Sequence, residues 1–122
     1  LENTELKYLF SPGTLAEVAV SAPAGNDRIY GIIDRLIVTE HNVLAVDFKT
    51  NRAVPETPEK CPEGILRQMA AYATALTAIY PDKNIRTAIL WTRNASLMPL
   101  PHEIVTALSE SAQYLDDARV DT

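Results

Sequence analysis

The stretch Val43-Leu44-Ala45-Val46-Asp47-Phe48-Lys49 is an apolar run that ends in an acid and a base. A second apolar run shortly before it, Gly31-Ile32-Ile33-Asp34, also ends in an acid. A charged side chain is costly to bury unless it is paired or bound to a metal. Because alternate residues of a strand share a face, Asp47 and Lys49 should project together. The stretch therefore predicts a strand that presents a divalent cation and an amine to one substrate group.

The composition bounds the size and class of the protein. Its 122 residues suffice for one domain with a real core, and its formal net charge is −5. A free-standing nucleic-acid binder is usually basic, so either the chain does not bind nucleic acid or other domains hold it. The single cysteine, Cys61, excludes an internal disulfide framework, and we expect it to have no redox role. No apolar run is long enough to span a bilayer, and no signal peptide opens the chain.

Periodicity and turn residues predict a β-β-β-α-β-(β)-α order. We expect an irregular lead-in over residues 1–14 and irregular structure over the proline-containing segment 51–62. The predicted strands cover residues 15–21, 29–39, 43–50, 85–92 and 97–98. The predicted helices cover residues 63 to 79 or 80, and 101 to about 116. The first three strands form an antiparallel meander.

The hairpin between the second and third strands brings the charged residues together. If His41 and Asn42 are the two turn residues, Asp34 faces Lys49, and Asp47 is a diagonal neighbour on the same face. A slip of one residue would move Asp34 to the opposite face. The predicted cluster therefore depends on the position of this turn.

The two predicted neighbouring carboxylates need a positive partner. At roughly 4 Å and an effective dielectric near 20 they repel by about 4 kcal/mol. Lys49 supplies one charge, and a hard cation such as Mg²⁺ or Mn²⁺ would supply two through oxygen ligands. Such an ion can polarise a phosphoryl oxygen and lower the pKa of a bound water. From spacing alone, a salt-bridged cluster without a catalytic role is an equally good interpretation.

Three further residues are candidates. Glu17 lies on a strand that feeds the sheet, although an exposed residue on a half-buried strand explains it equally well. Gln68 and Tyr72 are spaced i, i+4 and lie one above the other on the helix. Tyr72 also fits the apolar stripe as a core residue, whereas Gln68 flanks that stripe without being hydrophobic.

Several kinds of site are excluded. No two histidines have the spacing of a zinc site, and no serine nucleophile elbow is present. The chain has only four glycines and no G-x-x-x-x-G-K-[ST] loop, so no ATP site lies within it.

These motifs together resemble the nuclease domain of the RecB family, within the PD-(D/E)XK nuclease superfamily. The resemblance rests on Gly31-Ile32-Ile33-Asp34-Arg35-Leu36, Val46-Asp47-Phe48-Lys49-Thr50-Asn51-Arg52 and Arg67-Gln68-Met69-Ala70-Ala71-Tyr72. The run from Phe10-Ser11-Pro12-Gly13 through Ala16-Glu17-Val18 to Ile89-Leu90-Trp91-Thr92 is similar to the C-terminal part of AddA-type helicase–nuclease subunits. The resemblance implies an α/β restriction-endonuclease-like core, with a mixed central sheet flanked by helices.

The resemblance also implies roles for individual residues. Asp34 and Asp47 would ligate Mg²⁺, with Mn²⁺ able to substitute and the Phe48 backbone carbonyl as a further ligand. Lys49 would orient the attacking water and stabilise the developing charge. Glu17 would be a ligand or would support one.

Two residues of the helix complete the implied site. Gln68 and Tyr72 match the helix motif that supports the metal site and contacts DNA in the family.

The implied function is that of a Mg²⁺-dependent deoxyribonuclease, an exonuclease within an ATP-dependent helicase–nuclease that processes double-strand DNA ends for recombinational repair. The partners would be single-stranded DNA delivered by motor domains and an AddB-like subunit, in the bacterial cytoplasm and away from membranes. The family has a helix with a histidine before the Glu17 strand, and the chain starts without methionine, so we expect a fragment of a longer protein. Two rival hypotheses are a catalytically inactive docking module of this fold and a stand-alone nuclease of the superfamily.

Overall fold

A computed structural model of the protein describes residues 14–24 and 26–107. Five strands form one sheet in the order β1-β2-β3-β4-β5, in which β3 and β4 are parallel and the other neighbours are antiparallel. The strands are β1 Leu15–Ala24, β2 Asp27–Val38, β3 Asn42–Lys49, β4 Asn84–Trp91 and β5 Ser96–Leu100. Helix α1 spans Glu63–Ile79, a 3₁₀ turn covers Pro58–Lys60, and a second helix, α2, includes residues 102–107. This mixed α/β sheet with helices confirms the predicted fold class.

The predicted element order agrees with the structure, and the differences lie at element ends. Strand β5 continues to Leu100, well beyond the predicted 97–98, because it pairs with β4 from Trp91 to Thr87. The predicted lead-in falls outside the described residues except for residue 14, and so does the predicted course of the last helix beyond residue 107.

The turn between β2 and β3 lies one residue earlier than predicted. The backbone N–H of Thr39 donates to the carbonyl of Asn42 at 2.8 Å, so Glu40 and His41 are the two turn residues. The register of β2 against β3 therefore shifts by two residues. Arg35 lies opposite Val46, whereas the predicted turn would have set it opposite Phe48. Continued by one step, this register sets Asp34 opposite Asp47, and the predicted Asp34–Lys49 pairing is wrong. A shift of two residues preserves the face of every side chain.

A backbone irregularity lies beside Asp34. Glu17 has a φ of 51°, and the ladder between β1 and β2 skips Glu17 and Asp34 while keeping its register on both sides. Ile33 and Leu36 both belong to the core under α1 although they are an odd number of residues apart. The alternation of faces along β2 therefore changes at Asp34.

Helix α1 packs across the strands β1 to β4 and covers one face of the sheet. Tyr72 is among its buried residues, as its place in the predicted stripe requires. The buried side of the helix consists of Leu66, Met69, Ala70, Tyr72, Ala75 and Leu76. None of the helices in the described part of the chain has the length and apolar character needed to cross a bilayer.

Candidate active site

The candidate site lies where β2 and β3 separate. Their ladder ends at Arg35 opposite Val46, and beyond it the Asp34 carboxylate replaces backbone pairing. Its Oδ2 accepts a hydrogen bond from the Phe48 N–H at 2.7 Å. Because the N–H and C=O of one strand residue point to the same side of the strand, the Phe48 carbonyl also faces Asp34. The gap between the strands is thus lined with oxygen atoms.

A chain of polar contacts runs from β3 to α1 and back to β2. Lys49 Nζ lies 2.9 Å from Asp47 Oδ2 and donates to Gln68 Oε1 at 2.8 Å. Gln68 Nε2 donates to the Tyr72 hydroxyl at 3.2 Å, which donates to the Ile32 carbonyl at 3.1 Å. The structure therefore brings five predicted site residues, Asp34, Asp47, Lys49, Gln68 and Tyr72, into one network.

The direction of this chain follows from its last acceptor. A carbonyl oxygen such as that of Ile32 can only accept, so the Tyr72 hydroxyl must donate to it and accept from Gln68. The Gln68 amide oxygen is then left to accept from Lys49. Lys49 donates one ammonium N–H to Gln68 and is ion-paired with Asp47, and a remaining N–H can serve a water or a phosphate oxygen.

Asp47 carries an incompletely compensated charge. Its side chain is buried, with a residue exposure of 5%. Burial raises the pKa of Asp47, the nearby Lys49 ammonium lowers it, and the neighbouring Asp34 raises it again. Although Lys49 is at ion-pair distance, Asp47 Oδ2 has no hydrogen bond of acceptable geometry. Because Coulomb attraction depends on separation, the Lys49 ammonium pairs electrostatically with this oxygen without satisfying it as a hydrogen-bond acceptor.

Tyr72 stays protonated in this setting. Burial raises the pKa of its hydroxyl, and the charges of Asp47 and Asp34 raise it further. A neutral phenol is the form that can donate to Ile32, so the electrostatics agree with the hydrogen-bond chain.

The oxygen atoms of this site suit a hard divalent cation. In the described part of the chain, no group of three or more His, Cys, Asp or Glu side chains could hold a metal. Two carboxylates and a backbone carbonyl match Mg²⁺, which keeps several waters and binds through one or two carboxylates. The buried Asp47 oxygen without a hydrogen bond is the observation that favours a cation here.

Glu17 is not brought into a metal-binding group. It lies across from Asp34 in the β1–β2 register, but its side chain is exposed and its backbone is in the left-handed region. Its role as a ligand or as the support of one remains a prediction.

Sequence reasoning overlooked two features of β2. A Cβ on Gly31 would lie 2.6 Å from Tyr72 Cε1, so the ring packs directly on the backbone there. Glycine inside a strand is a known sign of such a close approach and could have been used. The Ile32 carbonyl that anchors Tyr72 gives no signal in the sequence, because every residue carries such a group.

Two acids and a lysine thus meet at the gap between β2 and β3. A family model described as the PD-(D/E)XK nuclease superfamily matches residues 2–120. The chain belongs to this superfamily. No curated protein matches the chain.

Among solved structures, the chain is similar to the crystal structure of SSO0001, with 17% sequence identity and a TM-score of 0.48. The match covers 93% of this chain, which spans 55% of the other.

Proposed function

We propose that this chain is a Mg²⁺-dependent DNA-cleaving domain that hydrolyses phosphodiester bonds of single-stranded DNA. The observation that best supports this proposal is that Asp34, Asp47 and Lys49 meet at the gap between β2 and β3. A buried charged cluster of this kind lowers the stability of the fold. Membership of the nuclease superfamily explains why the chain has such a cluster.

The proposed chemistry divides between the residues. Asp34, Asp47 and the Phe48 carbonyl would hold Mg²⁺, or Mn²⁺ in its place. When bound, the ion supplies Lewis-acid polarisation of a phosphoryl oxygen and an acidified water. Lys49 uses its remaining N–H to orient the attacking water and to stabilise the charge that develops on phosphorus.

Gln68 and Tyr72 act through Lys49. Their hydrogen bonds fix the ammonium from the helix side and tie it to the β2 backbone at Ile32. They are therefore positioning residues, and their loss should leave the ammonium charge present but less well placed. In the family their helix also contacts DNA, and we extend that role to them as part of the proposal.

The biological setting belongs to the same proposal. The motifs support an exonuclease domain of an AddA-like helicase–nuclease that processes double-strand breaks for recombinational repair. Motor domains outside this chain would deliver single-stranded DNA, and an AddB-like subunit in the bacterial cytoplasm would be the partner. The acidic net charge of −5 supports delivery by a tethered motor, since tethering supplies effective concentration.

Substitution of the lysine tests the assignment. We expect Lys49→Ala in the full-length protein to lower cleavage of single-stranded DNA by two to three orders of magnitude while DNA unwinding persists. The loss corresponds to about 2.7–4 kcal/mol, as for removal of one donor to a developing charge. Lys60→Ala is the matched control, because the Lys60 side chain is exposed and forms an ion pair with exposed Glu56 at 3.9 Å.

Cleavage by Lys49→Ala at a near wild-type rate would refute the role of Lys49. Wild-type protein that unwinds DNA but never cuts it, with either metal, would instead favour the inactive docking module. Efficient cutting by this chain alone would favour the stand-alone nuclease.

A further inference from the structure

The outer part of strand β2 carries an exposed apolar surface. Tyr30 is 73% exposed and Ile32 is 58% exposed, although both lie inside a strand. Side chains of alternate strand residues share a face, so Arg28, Tyr30 and Ile32 form one row. Gly31 on the other face meets Tyr72 of α1, which puts the row on the side of the hairpin away from the helix.

The residues that face this row across the ladder are small, so the Tyr30 ring projects beyond them. Across the β1–β2 ladder, Ser21 faces Tyr30 and Ala19 faces Ile32, and both opposing side chains are small. In the part of the chain that the structure describes, the Arg28 guanidinium is held by the Ser21 hydroxyl, with contacts of 3.2 and 3.1 Å, and not by a carboxylate. The Ser21 hydroxyl does not neutralise the guanidinium, while the carboxylate of the preceding Asp27 accepts the Arg28 backbone N–H at 2.9 Å.

The row leads directly to the candidate site. Asp34 follows two positions after Ile32, where the alternation of faces changes, so the row ends beside the gap between β2 and β3. Four residues of strand separate Tyr30 from Asp34, a distance of about 13 Å. Tyr72 also ties the strand to the catalytic lysine network at Ile32.

We propose that Arg28, Tyr30 and Ile32 form a base-stacking track that guides single-stranded DNA to Asp34. Aromatic side chains stack on any base and an adjacent arginine pairs with the phosphate, so binding of this kind needs no broad basic patch. This suits an acidic chain, in which counterion release can contribute little. The proposal rests on the proposed function, because it names how the substrate of that same site is held.

The test compares oligonucleotides with and without bases. Binding of a fluorescent oligo(dT) and of an abasic strand of equal length is measured by anisotropy in EDTA, where no cleavage can occur. We expect Tyr30→Ala to weaken oligo(dT) binding about tenfold, as for the loss of one stacked base, and to leave abasic binding unchanged. Tyr30→Phe should retain the wild-type affinity, because the ring remains.

The control is a comparable exposed apolar residue elsewhere. Ile79 is 45% exposed at the end of α1, and Ile79→Ala should leave both affinities unchanged. Circular dichroism melting of each variant confirms that the fold persists, which is expected because the Tyr30 side chain is largely exposed.

The outcomes that would overturn the track differ from the one that would refute the nuclease. Equal losses on oligo(dT) and abasic strands would mean that the ring acts without stacking, and no binding by wild type over the accessible concentration range would mean that no track exists. A self-association that Tyr30→Ala abolishes would assign the surface to a second copy of the chain. Tyr30-dependent binding without any metal-dependent cleavage would retain the track and refute the nuclease, whereas cleavage unaffected by Tyr30→Ala would do the reverse.

Discussion

Asp47 is the residue at which folding and function conflict most clearly. Its carboxylate is buried beside a second carboxylate, and one ammonium partner does not satisfy it. Functional sites often retain such groups at a cost in stability. Without a metal, the charged form of Asp47 should therefore weaken the fold.

We expect Asp47→Asn to raise the free energy of unfolding in EDTA at neutral pH by about 1 kcal/mol. Because the folded-state pKa of Asp47 is raised above its ordinary value of 3.8, the stability linked to the protonated carboxyl is present below that value and lost as pH rises through the raised pKa. Urea unfolding across this pH range should show the loss in wild type and not in the variant. A less stable variant at neutral pH would contradict this.

The same variant distinguishes stabilisation by a bound metal from the intrinsic stability of the fold. Saturating Mn²⁺ at a hundredfold excess over its dissociation constant should stabilise wild type by about 2.7 kcal/mol, and Asp47→Asn far less. Asp82→Asn, an exposed position in the turn after α1, should respond as wild type does. An unchanged melting temperature of wild type in Mn²⁺ would refute the metal site.

At the scale of elements, strand β2 shows what the sequence could and could not predict. Its hairpin with β3 was predictable because two apolar runs flank polar turn residues. The turn was misplaced by one residue because Asn42 is a more typical turn residue than Glu40, whereas the bond from Thr39 to Asn42 places Glu40 and His41 in the turn. Because the resulting shift was even, Asp34 still lies near Asp47, while the role of these residues stays a prediction.

The change of face at Asp34 could not be predicted from the sequence. Nothing about Glu17 as a residue type signals a φ of 51°, because a non-glycine residue rarely adopts that conformation. The contact of Gln68 with Lys49 was not predicted, because the spacing placed Gln68 only on the same helix face as Tyr72. The contact itself depends on how α1 crosses the sheet.

The close contact between α1 and β2 at Gly31 yields a further prediction. Gly31→Ala would place a Cβ 2.6 Å from Tyr72 Cε1, so the ring and its hydrogen bond to Ile32 must move. Overpacking of this kind costs about 1–3 kcal/mol, and displacement of Tyr72 should lower cleavage as well. Thermal unfolding and the cleavage rate are the two measurements.

Two further variants show that the effect is local. Gly64→Ala near the start of α1 should be neutral or slightly stabilising, since nothing lies within 4 Å of a Cβ there. In a Gly31→Ala background, Tyr72→Leu should recover stability by removing the clash but should not recover cleavage, because Gln68 loses its partner. Recovery of both would mean that Tyr72 does not position the site.

At the scale of the whole molecule, charge limits how this chain can hold DNA. Its 11 basic residues are outnumbered by 16 acidic ones. Several of the basic side chains are engaged within the structure, such as Arg67 with Glu63 at 2.9 Å and Lys83 with the carbonyls of Thr39 and Glu40. Few cations therefore remain for phosphate, and a bound divalent ion offsets only two of the five excess negative charges.

We therefore expect this chain alone to bind single-stranded DNA with a dissociation constant above the micromolar range at physiological salt, and to cut it slowly even with Mn²⁺. With about three phosphate contacts, log K against log salt should have a slope of about −2. Anisotropy titrations at several salt concentrations measure both quantities. Joining the chain to a single-strand-binding domain should raise cleavage without changing the site, since tethering supplies effective concentration. A sub-micromolar affinity with a steep salt slope would show a basic surface that the described residues do not contain, and would favour a nuclease that needs no motor to hold its substrate.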